Sequence, residues 1–230
     1  MNGVERVHFE KIESTNTYIK TRRNEGKDLI VTATAQTGGR GTKGRSFSAE
    51  KGGVYLSKLS HYTDFPASQA FKIMIGGAVA VCKTLEHYGL RPVIKWPNDI
   101  HVNGKKICGI LIENVFSGKN ISSSVVGIGV NVCNLLPDSL DAIATSMLIE
   151  TGKTFDVEEV TRYLIAMFDV EWTINDYHAY IGYMGREVTL ILGEESKAAT
   201  LRSVDGEGGL WAEIDGKLQR LTAAEVSVRL

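Results

Sequence analysis

The chain has 230 residues, of which 43% are hydrophobic and 23% are charged. This length is enough for one full domain with a sizeable core and a small appendage. The formal net charge of −1 argues against nonspecific nucleic-acid binding, which needs an extended basic surface. The longest apolar run, Ile73–Cys82, has ten residues and is too short to span a bilayer. We therefore expect no DNA and no membrane among the partners.

The cysteine pattern indicates a reducing compartment. Cys82, Cys108 and Cys133 are scattered, and each lies in an apolar stretch. An odd, scattered set predicts neither a disulfide framework nor a thiolate metal site. The five histidines have no metal-ligand spacing, and the N-terminus carries charges where a signal peptide would be apolar. A cytoplasmic location follows as an expectation.

Strand-like and helical patterns alternate in the first half of the chain. A helix is predicted to begin at Ser14, whose side chain can cap it, and to end near Gly26. The dipeptide Asn103-Gly104 predicts a two-residue hairpin. The remaining predicted elements are strands at Leu29–Ala35 and Val54–Leu59, a buried helix at Ala67–Tyr88, and strands at Pro92–Trp96, Ile100–Val102, Ile107–Glu113 and Ser122–Val132.

The texture of the sequence changes near Gly185. Before it, Asp156-x-x-Glu159 predicts a capping box for a helix that continues to about Asp176. After it, short alternating segments are separated by Asp-Gly turns, as in a small five-stranded β-barrel. We therefore predict one domain over residues 1–185 and a second over residues 186–230. The predicted barrel strands are Val188–Leu192, Ala198–Val204, Leu210–Ile214, Lys217–Leu221 and Val226–Val228.

The loop Gly38–Phe47 is the most informative stretch. It contains four glycines together with Arg40, Lys43 and Arg45. Glycines let backbone amides approach a ligand closely, and guanidinium groups bind phosphate or carboxylate in bidentate fashion. The loop has neither the phosphate-loop nor the dinucleotide-binding glycine spacing. It indicates either an anion-binding loop or a flexible surface loop with scattered charges.

Three further segments carry polar chemistry. Lys95–Asp99 places a cation, an aromatic ring, an amide and a carboxylate at the end of a predicted strand. Alternation directs Lys105 and Lys106 to opposite faces of the next strand, so one of them can point inward. In Gly127–Asn131 two glycines leave space on one strand face, for a ligand or for tight packing of the backbone.

Taken together and in this order, these motifs closely resemble those of the biotin–protein ligases. The resemblance runs from Ser14 to the C-terminus. Its motifs are Ser14-Thr15-Asn16, Gln36 with Gly39-Arg40-Gly41 and Gly44-Arg45, Lys95-Trp96-Pro97-Asn98-Asp99, Gly104-Lys105-Lys106 leading to Gly109-Ile110-Leu111, and Gly127-Ile128-Gly129-Val130-Asn131.

The resemblance implies an α+β fold with a mixed β-sheet and flanking helices, related to the class II aminoacyl-tRNA synthetases, followed by a C-terminal SH3-like barrel. It also implies a two-step reaction that uses ATP, Mg²⁺ and biotin. The biotin carboxylate attacks the α-phosphorus of ATP, and a lysine of a biotin carboxyl carrier protein then attacks the resulting biotinyl-5′-AMP. No enzyme nucleophile is needed, which agrees with the absence of a Ser-His or Cys-His arrangement.

Roles for single residues follow from the same resemblance. Catalytic roles go to Lys106, Arg40 and Lys95, and Mg²⁺ ligation goes to Asp99 and Asn131. Biotin binding is expected at Ser14, Thr15, Asn16, Gln36, Arg40, Gly41, Thr42, Lys106, Gly109, Gly127 and Gly129. Adenylate binding is expected at Arg40, Arg45, Lys95, Asn98, Lys106 and Asn131.

The sequence departs from the family pattern in the basic loop. Thr42 stands where the family often has Arg, and Ser46-Phe47 replaces the common Lys/Arg-Trp. One fewer guanidinium leaves the retention of the adenylate open, although the neighbouring Lys43 can compensate.

Three other functions are alternatives. A lipoate–protein ligase shares the fold, but its Arg-Arg and triple-glycine pattern is missing. A biotin-responsive repressor needs a DNA-binding domain, and only thirteen residues precede Ser14. A non-catalytic biotin-binding protein would not need the polar groups of Lys95–Asp99 and Asn131. A homodimer is a further expectation from the family.

Overall fold

The computed structural model describes residues 4–193, 195–223 and 226–229; the side chains of Lys43, Val226, Ser227 and Arg229 fall outside this description. The described helices are α1 (Thr15–Thr21), α2 (Phe71–His87), α3 (Met147–Thr151), α4 (Val157–Phe168) and α5 (Ile174–Ala179). The strands of the first sheet are β1 (Glu5–Ile12), β2 (Leu29–Gln36), β3 (Val54–Pro66), β4 (Val93–Lys95), β5 (Asp99–Val102), β6 (Lys105–Ser117) and β7 (Asn120–Val130). Those of the second are β8 (Glu187–Leu192), β9 (Glu195–Val204), β10 (Leu210–Ile214), β11 (Lys217–Leu221) and β12 (Val226–Arg229).

The seven strands of the first sheet lie in the order β1-β2-β3-β7-β6-β5-β4. Strands β1 and β2 are parallel, whereas the other neighbouring strands are antiparallel. The sheet is therefore mixed, and helices flank it. This confirms the α+β architecture expected from the sequence.

Each face of the sheet packs against a hydrophobic core, and the side chains of β2 alternate between the two cores. Ile30 belongs to the larger core, which includes α2 and α4. Leu29 and Val31 belong to a smaller core, where they pack with Ile19 of α1. The helix α1 thus covers the face of the sheet opposite to α2.

Local signals account for two of the predicted boundaries. The hydroxyl of Ser14 accepts from the backbone N–H of Thr17, so α1 begins where the sequence indicated. Asn103 and Gly104 have φ values of 48° and 80°, as the two central residues of a tight hairpin turn require. This turn joins β5 to β6 and fixes the start of the strand that carries Lys106.

Three predictions differ from the structure. The helix predicted to end near Gly26 ends at Thr21, and a separate 3-10 turn at Arg23–Glu25 precedes that glycine. No strand was predicted over residues 5–12, but β1 forms there and pairs with β2. The prediction that a single helix continues to about Asp176 was wrong, because α4 ends at Phe168. A second helix then begins after Thr173, which forms a reciprocal capping box with Asp176.

The C-terminal strands form a five-stranded antiparallel sheet in the order β11-β10-β9-β8-β12. Its inner residues belong to the same hydrophobic core as α2 and β4. The indole N–H of Trp96 donates to the carbonyl of Gly208 at 3.1 Å, and His178 Nε2 lies 2.7 Å from the carbonyl of Val204. The second sheet therefore packs directly behind the Lys95–Asp99 segment.

Two global expectations concern the membrane and the thiols. Among the described helices, none has the length and apolar character that crossing a bilayer requires. All three cysteines are free thiols, and Cys82 and Cys108 are buried.

Candidate active site

A cleft lies between the face of β3, β7 and β6, the start of α1 and the basic loop. Most of the site residues that the sequence predicted come together here. They are Ser14, Thr15, Asn16, Gln36, Arg40, Gly41, Thr42, Asn98, Asp99, Lys106, Gly109, Gly127 and Gly129. Two recesses adjoin the cleft, because Thr42 and Asp99 line all three spaces. Both recesses are lined by Lys95 and Arg45, and one of them is also lined by Asn131.

The centre of the cleft floor is backbone without side chains, because Gly109 of β6 and Gly129 of β7 pair directly across the sheet. The ring of Phe47 lies against this patch. A Cβ on Gly129 would be only 2.6 Å from the ring, and one on Gly109 would be 3.6 Å from it. An aromatic side chain from the basic loop therefore packs on backbone in the centre of the cleft.

Lys106 is the inward-pointing lysine that the alternation predicted. Its Nζ lies 2.7 Å from Asp99 Oδ1. The ammonium passes close over Gly109, where a Cβ would lie 3.1 Å from Nζ. Lys105 has the opposite orientation and donates from Nζ to the carbonyl of Asp141 at 2.6 Å. Strand β6 thus delivers one cation to the cleft and one to the outside.

The start of α1 presents hydroxyl and amide groups. Ser14 and Thr15 are buried. Gln36, at the end of β2, reaches across to α1, where its Oε1 accepts from the backbone N–H of Thr15 at 2.8 Å. Because the Gln36 carbonyl is used in this way, its NH₂ group remains to donate into the cleft.

Asn16 is also buried, and its amide group is held at both ends. Its Oδ1 accepts from Ser57 Oγ at 2.5 Å, and its Nδ2 donates to Glu113 Oε2 at 3.2 Å. The side chain crosses Gly127 so closely that a Cβ there would lie 2.1 Å from Asn16 Oδ1. The glycine at position 127 is therefore required by Asn16.

The basic loop folds back on itself above the cleft. The N–H of Gly41 donates to the carbonyl of Arg45 at 2.7 Å, and the N–H of Phe47 donates to that of Gly39 at 2.9 Å. Arg40 and Arg45 are exposed, and Arg40 is 3.9 Å from Glu13. The suggested compensation by Lys43 falls on a side chain outside the described part of the chain.

The Lys95–Asp99 segment is anchored from several sides. Trp96 is buried, and its backbone N–H donates to Tyr183 Oη at 2.5 Å. Asn98 is bound to β6 through Nδ2, which donates to the carbonyl of Ile110 at 2.8 Å. Asp99 follows as the first residue of β5 and projects toward Lys106. The carboxylate is thereby fixed by the fold around it.

Two further polar residues, His101 and Asn131, line the recess beside the cleft that Lys95 and Asp99 also line. Burial lowers the pKa of His101, and the nearby cations of Lys95 and Lys106 act in the same direction. His101 is therefore neutral at pH 7 and adds no positive charge. Asn131 is buried; its Nδ2 donates to the carbonyl of Thr145 at 3.0 Å, and its Oδ1 accepts from Asn134 Nδ2 at 3.1 Å.

Sequence reasoning did not assign four residues that belong to this region. Phe47 was noted as a departure from the family pattern but given no place in the site. Ser57, Glu113 and Lys20 support Asn16, and Lys20 is paired with Glu113. A serine within the apolar start of β3 indicates a hydroxyl that needs a partner once it is buried, but it does not identify that partner.

The comparisons with known proteins agree with this geometry. Residues 8–131 match the Biotin/lipoate A/B protein ligase family. The chain is 30% identical over 220 residues to the "Bifunctional ligase/repressor BirA" of Bacillus subtilis, with 89% of this chain and 67% of that protein covered. It is also 30% identical over 218 residues to the "Biotin--[acetyl-CoA-carboxylase] ligase" of Paracoccus denitrificans, with 85% and 88% covered.

A solved structure supports the fold independently. The biotin protein ligase of Aquifex aeolicus, in complex with biotin and ATP, superposes with a TM-score of 0.76 at 24% identity, and 98% of each chain is covered. From the matched residues, the identities and the cleft described above, we conclude that the chain belongs to the biotin/lipoate A/B protein ligase family.

Proposed function

We propose that this protein is an ATP-dependent biotin–protein ligase of the biotin–[acetyl-CoA-carboxylase] ligase type. One observation carries the proposal, namely the arrangement of groups along the cleft. Hydroxyl and amide groups lie at one end, glycines form the floor, and the Lys106–Asp99 pair and the basic loop lie at the other end. Such a cleft fits a ligand with a neutral polar head, an apolar body and an acid at its end. The relatives named for biotin ligation support this assignment.

The neutral head of biotin is a cyclic urea, which needs both donors and acceptors. We assign it to Ser14, Thr15 and Gln36, with Asn16 behind them. The bicyclic ring and valeryl chain would then lie on the bare backbone at Gly109, Gly127 and Gly129. Phe47 occupies part of this space and would move or pack on the ligand.

The first chemical step brings two anions together, the biotin carboxylate and the α-phosphate of ATP. Two unit charges about 4 Å apart repel by about 4 kcal/mol at an effective dielectric near 20. We assign Lys106 and Arg40 to offset this repulsion, because cations placed where charge develops are the largest source of catalysis in such reactions. Arg45, Lys95 and Asn98 would hold the phosphates and the adenylate.

The carboxylate oxygen attacks the α-phosphorus, and the bond to pyrophosphate breaks. In the second step, the ε-amine of a carrier lysine attacks the carbonyl carbon, an amide forms, and AMP leaves. The two steps need orientation and charge compensation, and no side chain has to act as a nucleophile. The cleft accordingly offers charge and hydrogen bonds.

The residues predicted for Mg²⁺ fit such an ion in part. Asp99 supplies a carboxylate beside the recess that Lys95 lines, and Mg²⁺ bound with a nucleotide takes few protein ligands. Asn131 Oδ1 has one lone pair engaged by Asn134 and one left. When bound, the ion would supply positive charge at the phosphates. Among the described residues, no group of three or more His, Cys, Asp or Glu side chains could hold a metal by itself.

The domain assignment is also a proposal: a catalytic domain over residues 1–185, and an SH3-like barrel over residues 186–230. The five-stranded antiparallel sheet supports the second unit. The partner we propose is the biotin carboxyl carrier domain of a carboxylase. The free thiols support a reducing, cytoplasmic location.

A homodimer is a proposal that the edge of the first sheet supports. Strand β5 pairs with β6 only as far as Gly109. Within the described strands, no neighbour pairs with the β5-side edge of Ile112–Ser117, and Phe116 there is 58% exposed. An open strand edge of this kind can pair with another chain.

The test is a mass shift on a purified carrier domain. We expect an increase equal to one biotinyl group that requires ATP, Mg²⁺ and biotin together, and that replacement of biotin by lipoate abolishes. The Lys106→Ala variant should give no increase while its circular dichroism spectrum stays that of the wild type. A shift with lipoate in place of biotin would favour the lipoate ligase, and biotin binding without a shift would favour a binding protein.

A further inference from the structure

A buried threonine joins two predicted site residues that come from different strands. Thr145 is 0% exposed. Its backbone N–H donates to the carbonyl of Lys106 at 2.9 Å, and its own carbonyl accepts from Asn131 Nδ2 at 3.0 Å. Lys106 belongs to β6, whereas Asn131 directly follows β7. The position of Thr145 therefore sets how the Asn131 amide lies relative to Lys106.

The residues before Thr145 form one wall of the recess that Asn131 lines. Ile143 and Ala144 belong to this wall. The N–H of Lys106 donates to the carbonyl of Ile143 at 2.9 Å, so that Ala144 lies beside Lys106 in a parallel bridge. A shift of Thr145 would consequently move the wall and the Asn131 amide together.

The side chain of Thr145 is held by Glu150 of α3. Thr145 Oγ1 donates to Glu150 Oε1 at 2.5 Å, because a carboxylate can only accept. The other oxygen, Oε2, accepts from Asn103 Nδ2 at 2.5 Å. Among the described residues, neither the Thr145 hydroxyl nor the Asn103 amide has another hydrogen-bond partner. One carboxylate therefore ties the tip of the β5–β6 hairpin to the segment that holds Asn131.

We infer that Glu150 is a positioning residue for the nucleotide: it fixes Thr145, and through Thr145 the Asn131 amide and the wall of the recess. Glu150 itself lines neither the cleft nor the two recesses. The inference rests on the proposed function, because Asn131 is expected at the adenylate and its Mg²⁺ and has no place at the biotin head. Asn103, Thr145 and Glu150 together are called the Glu150 clamp below.

The biotin end of the cleft is held by different bonds. Gln36 Oε1 accepts from the backbone N–H of Thr15, and within the described part of the chain neither residue is bonded to the Glu150 clamp. The ammonium of Lys106 keeps its own partner, Asp99, at 2.7 Å. Loss of the clamp should therefore separate the two substrates, so that the affinity for the nucleotide falls and the affinity for biotin stays.

Two substitutions remove the clamp at different points. Glu150→Ala removes both of its bonds, and Thr145→Val removes the hydroxyl from a side chain of almost the same shape. Each should bind the nucleotide about 10-fold more weakly, as for the loss of a hydrogen bond to a charged group. The affinity for biotin should stay within about twofold of the wild type. Thr145→Ser keeps the hydroxyl and is the matched control, for which we expect nucleotide binding within about threefold of the wild type.

Asn103 and Glu150 allow a stricter test by exchange. Asn103→Asp keeps a residue that tolerates the φ of 48°, but two carboxylates then face each other at the position of the 2.5 Å contact. Glu150→Gln alone is mild. Its oxygen still accepts from Thr145, and the exposed Asn103 amide can turn over to accept from the new NH₂ group.

The double variant N103D/E150Q restores the clamp. The new NH₂ group at position 150 donates to the new carboxylate at position 103, and the net charge is that of the wild type. We expect nucleotide binding about 10-fold weaker for N103D, but within about threefold of the wild type for E150Q and for the double variant. Independent effects would leave the double variant at least as weak as N103D.

The experiment is calorimetric titration of the full chain, saturated with biotin, with an ATP analogue that has a methylene group between the α- and β-phosphorus atoms. This bridge cannot break, so binding is measured without adenylate formation. A separate titration with biotin measures the other substrate. In biotin-dependent ATP–pyrophosphate exchange, the KM for ATP should follow the Kd of the analogue, and the KM for biotin should stay unchanged.

Three results would overturn the inference. They are nucleotide binding by Thr145→Val equal to that of the wild type, equal losses of nucleotide and biotin affinity in the folded variants, and no recovery in a folded double variant. A merely structural role for the clamp predicts no difference between the two substrates. Should Glu150→Ala fail to fold, Thr145→Val and the exchange at positions 103 and 150 still decide the question.

The outcome for the wild type separates this inference from the proposed function. A wild-type protein that binds no biotin and catalyses no exchange would refute the proposed function. A wild-type protein that does both, while Thr145→Val and Asn103→Asp bind the analogue as tightly as it does, would refute only the role of Glu150.

Discussion

Lys106 Nζ lies 2.7 Å from Asp99 Oδ1, so the central cation of the cleft is held by a carboxylate that comes from the neighbouring strand. Strand β5 carries Asp99 and strand β6 carries Lys106, and the tight turn at Asn103-Gly104 sets the distance along the hairpin between them. The pair keeps the ammonium over the bare glycine floor, where the acid group of a ligand would arrive.

The first prediction concerns this cation. Lys106→Gln should lower the rate of biotin-dependent ATP–pyrophosphate exchange by about 10²- to 10³-fold, because it removes a charge that stabilises the transition state. Lys105→Gln is the matched control, since Lys105 contacts the carbonyl of Asp141 outside the cleft. Equal losses in the two variants would contradict the assignment of Lys106.

The second prediction compares two glycines of β7. A Cβ on Gly129 would meet the end of the Phe47 ring, which can turn away. A Cβ on Gly127 would meet Asn16, which is held at both ends of its amide. Gly127→Ala should therefore lower the free energy of unfolding by about 1–3 kcal/mol, as overpacking of a core does.

Gly129→Ala should leave the melting temperature nearly unchanged but weaken biotin binding, because the added methyl group fills the floor of the cleft. Thermal unfolding with and without biotin measures both effects. If Gly129→Ala were the less stable of the two variants, Phe47 would be packed more rigidly than we describe.

The third prediction concerns the hydroxyl of Tyr183, which accepts from the backbone N–H of Trp96. Both residues are buried, and burial raises the pKa of Tyr183. Tyr183→Phe leaves this N–H without a partner and should lower the free energy of unfolding by about 1–3 kcal/mol. Urea denaturation measures the change.

Tyr88→Phe is the control for this substitution. The buried Tyr88 hydroxyl has no hydrogen-bond partner among the described residues. Its removal should leave the free energy of unfolding unchanged or raise it slightly, because no partner is left unpaired. A similar loss in the two variants would indicate that the aromatic packing, and not the hydrogen bond, is responsible.

The fourth prediction is a pH dependence in the C-terminal sheet. The guanidinium of Arg220, whose Nε lies 2.6 Å from the carboxylate, lowers the pKa of Asp205 to about 2 from its ordinary value of 3.8. A lowered pKa contributes stability that is present above about pH 4 and is lost as the pH falls through about 2. Asp205→Asn should cost about 1–2 kcal/mol at pH 7, after allowance for screening by solvent.

The same substitution should cost almost nothing at pH 2, which urea denaturation at the two pH values will measure. Glu213→Gln is the control, since its pair with Arg202 lies at the more exposed surface of the same sheet. A loss in Asp205→Asn that does not depend on pH would mean that the Asp205 hydrogen bonds to Gly209 and Trp211, and not its charge, stabilise the turn.

What could be predicted from the sequence was local. The Ser14 cap and the Asn103-Gly104 turn depend on a few adjacent residues, so their patterns were sufficient. Strand β1 is an edge strand with several exposed residues, and its pairing with β2 is parallel and distant in sequence. Its alternation therefore gave little signal. The apolar spacing of α4 continues past Phe168, which concealed the break before Thr173.

The same distinction applies to the site. The residues that we propose face the ligand lie in short motifs, and the structure brings those motifs to one cleft and its adjoining recesses. The supporting residues do not, since Asn16 and Glu113 are separated by 97 positions. Only the folded sheet brings Ser57 beside Asn16, so no pattern in the sequence could have predicted their hydrogen bond.

The indole of Trp96 connects the two sheets through its bond to Gly208, and Asn98 and Asp99 follow it immediately in the chain. A substitution that distorts the turn between β9 and β10 will consequently also affect the position of the Asp99 carboxylate, which the turn does not contact. A substitution near the C-terminus that loosens this turn would pass, in a rate measurement alone, for a defect in the chemistry itself.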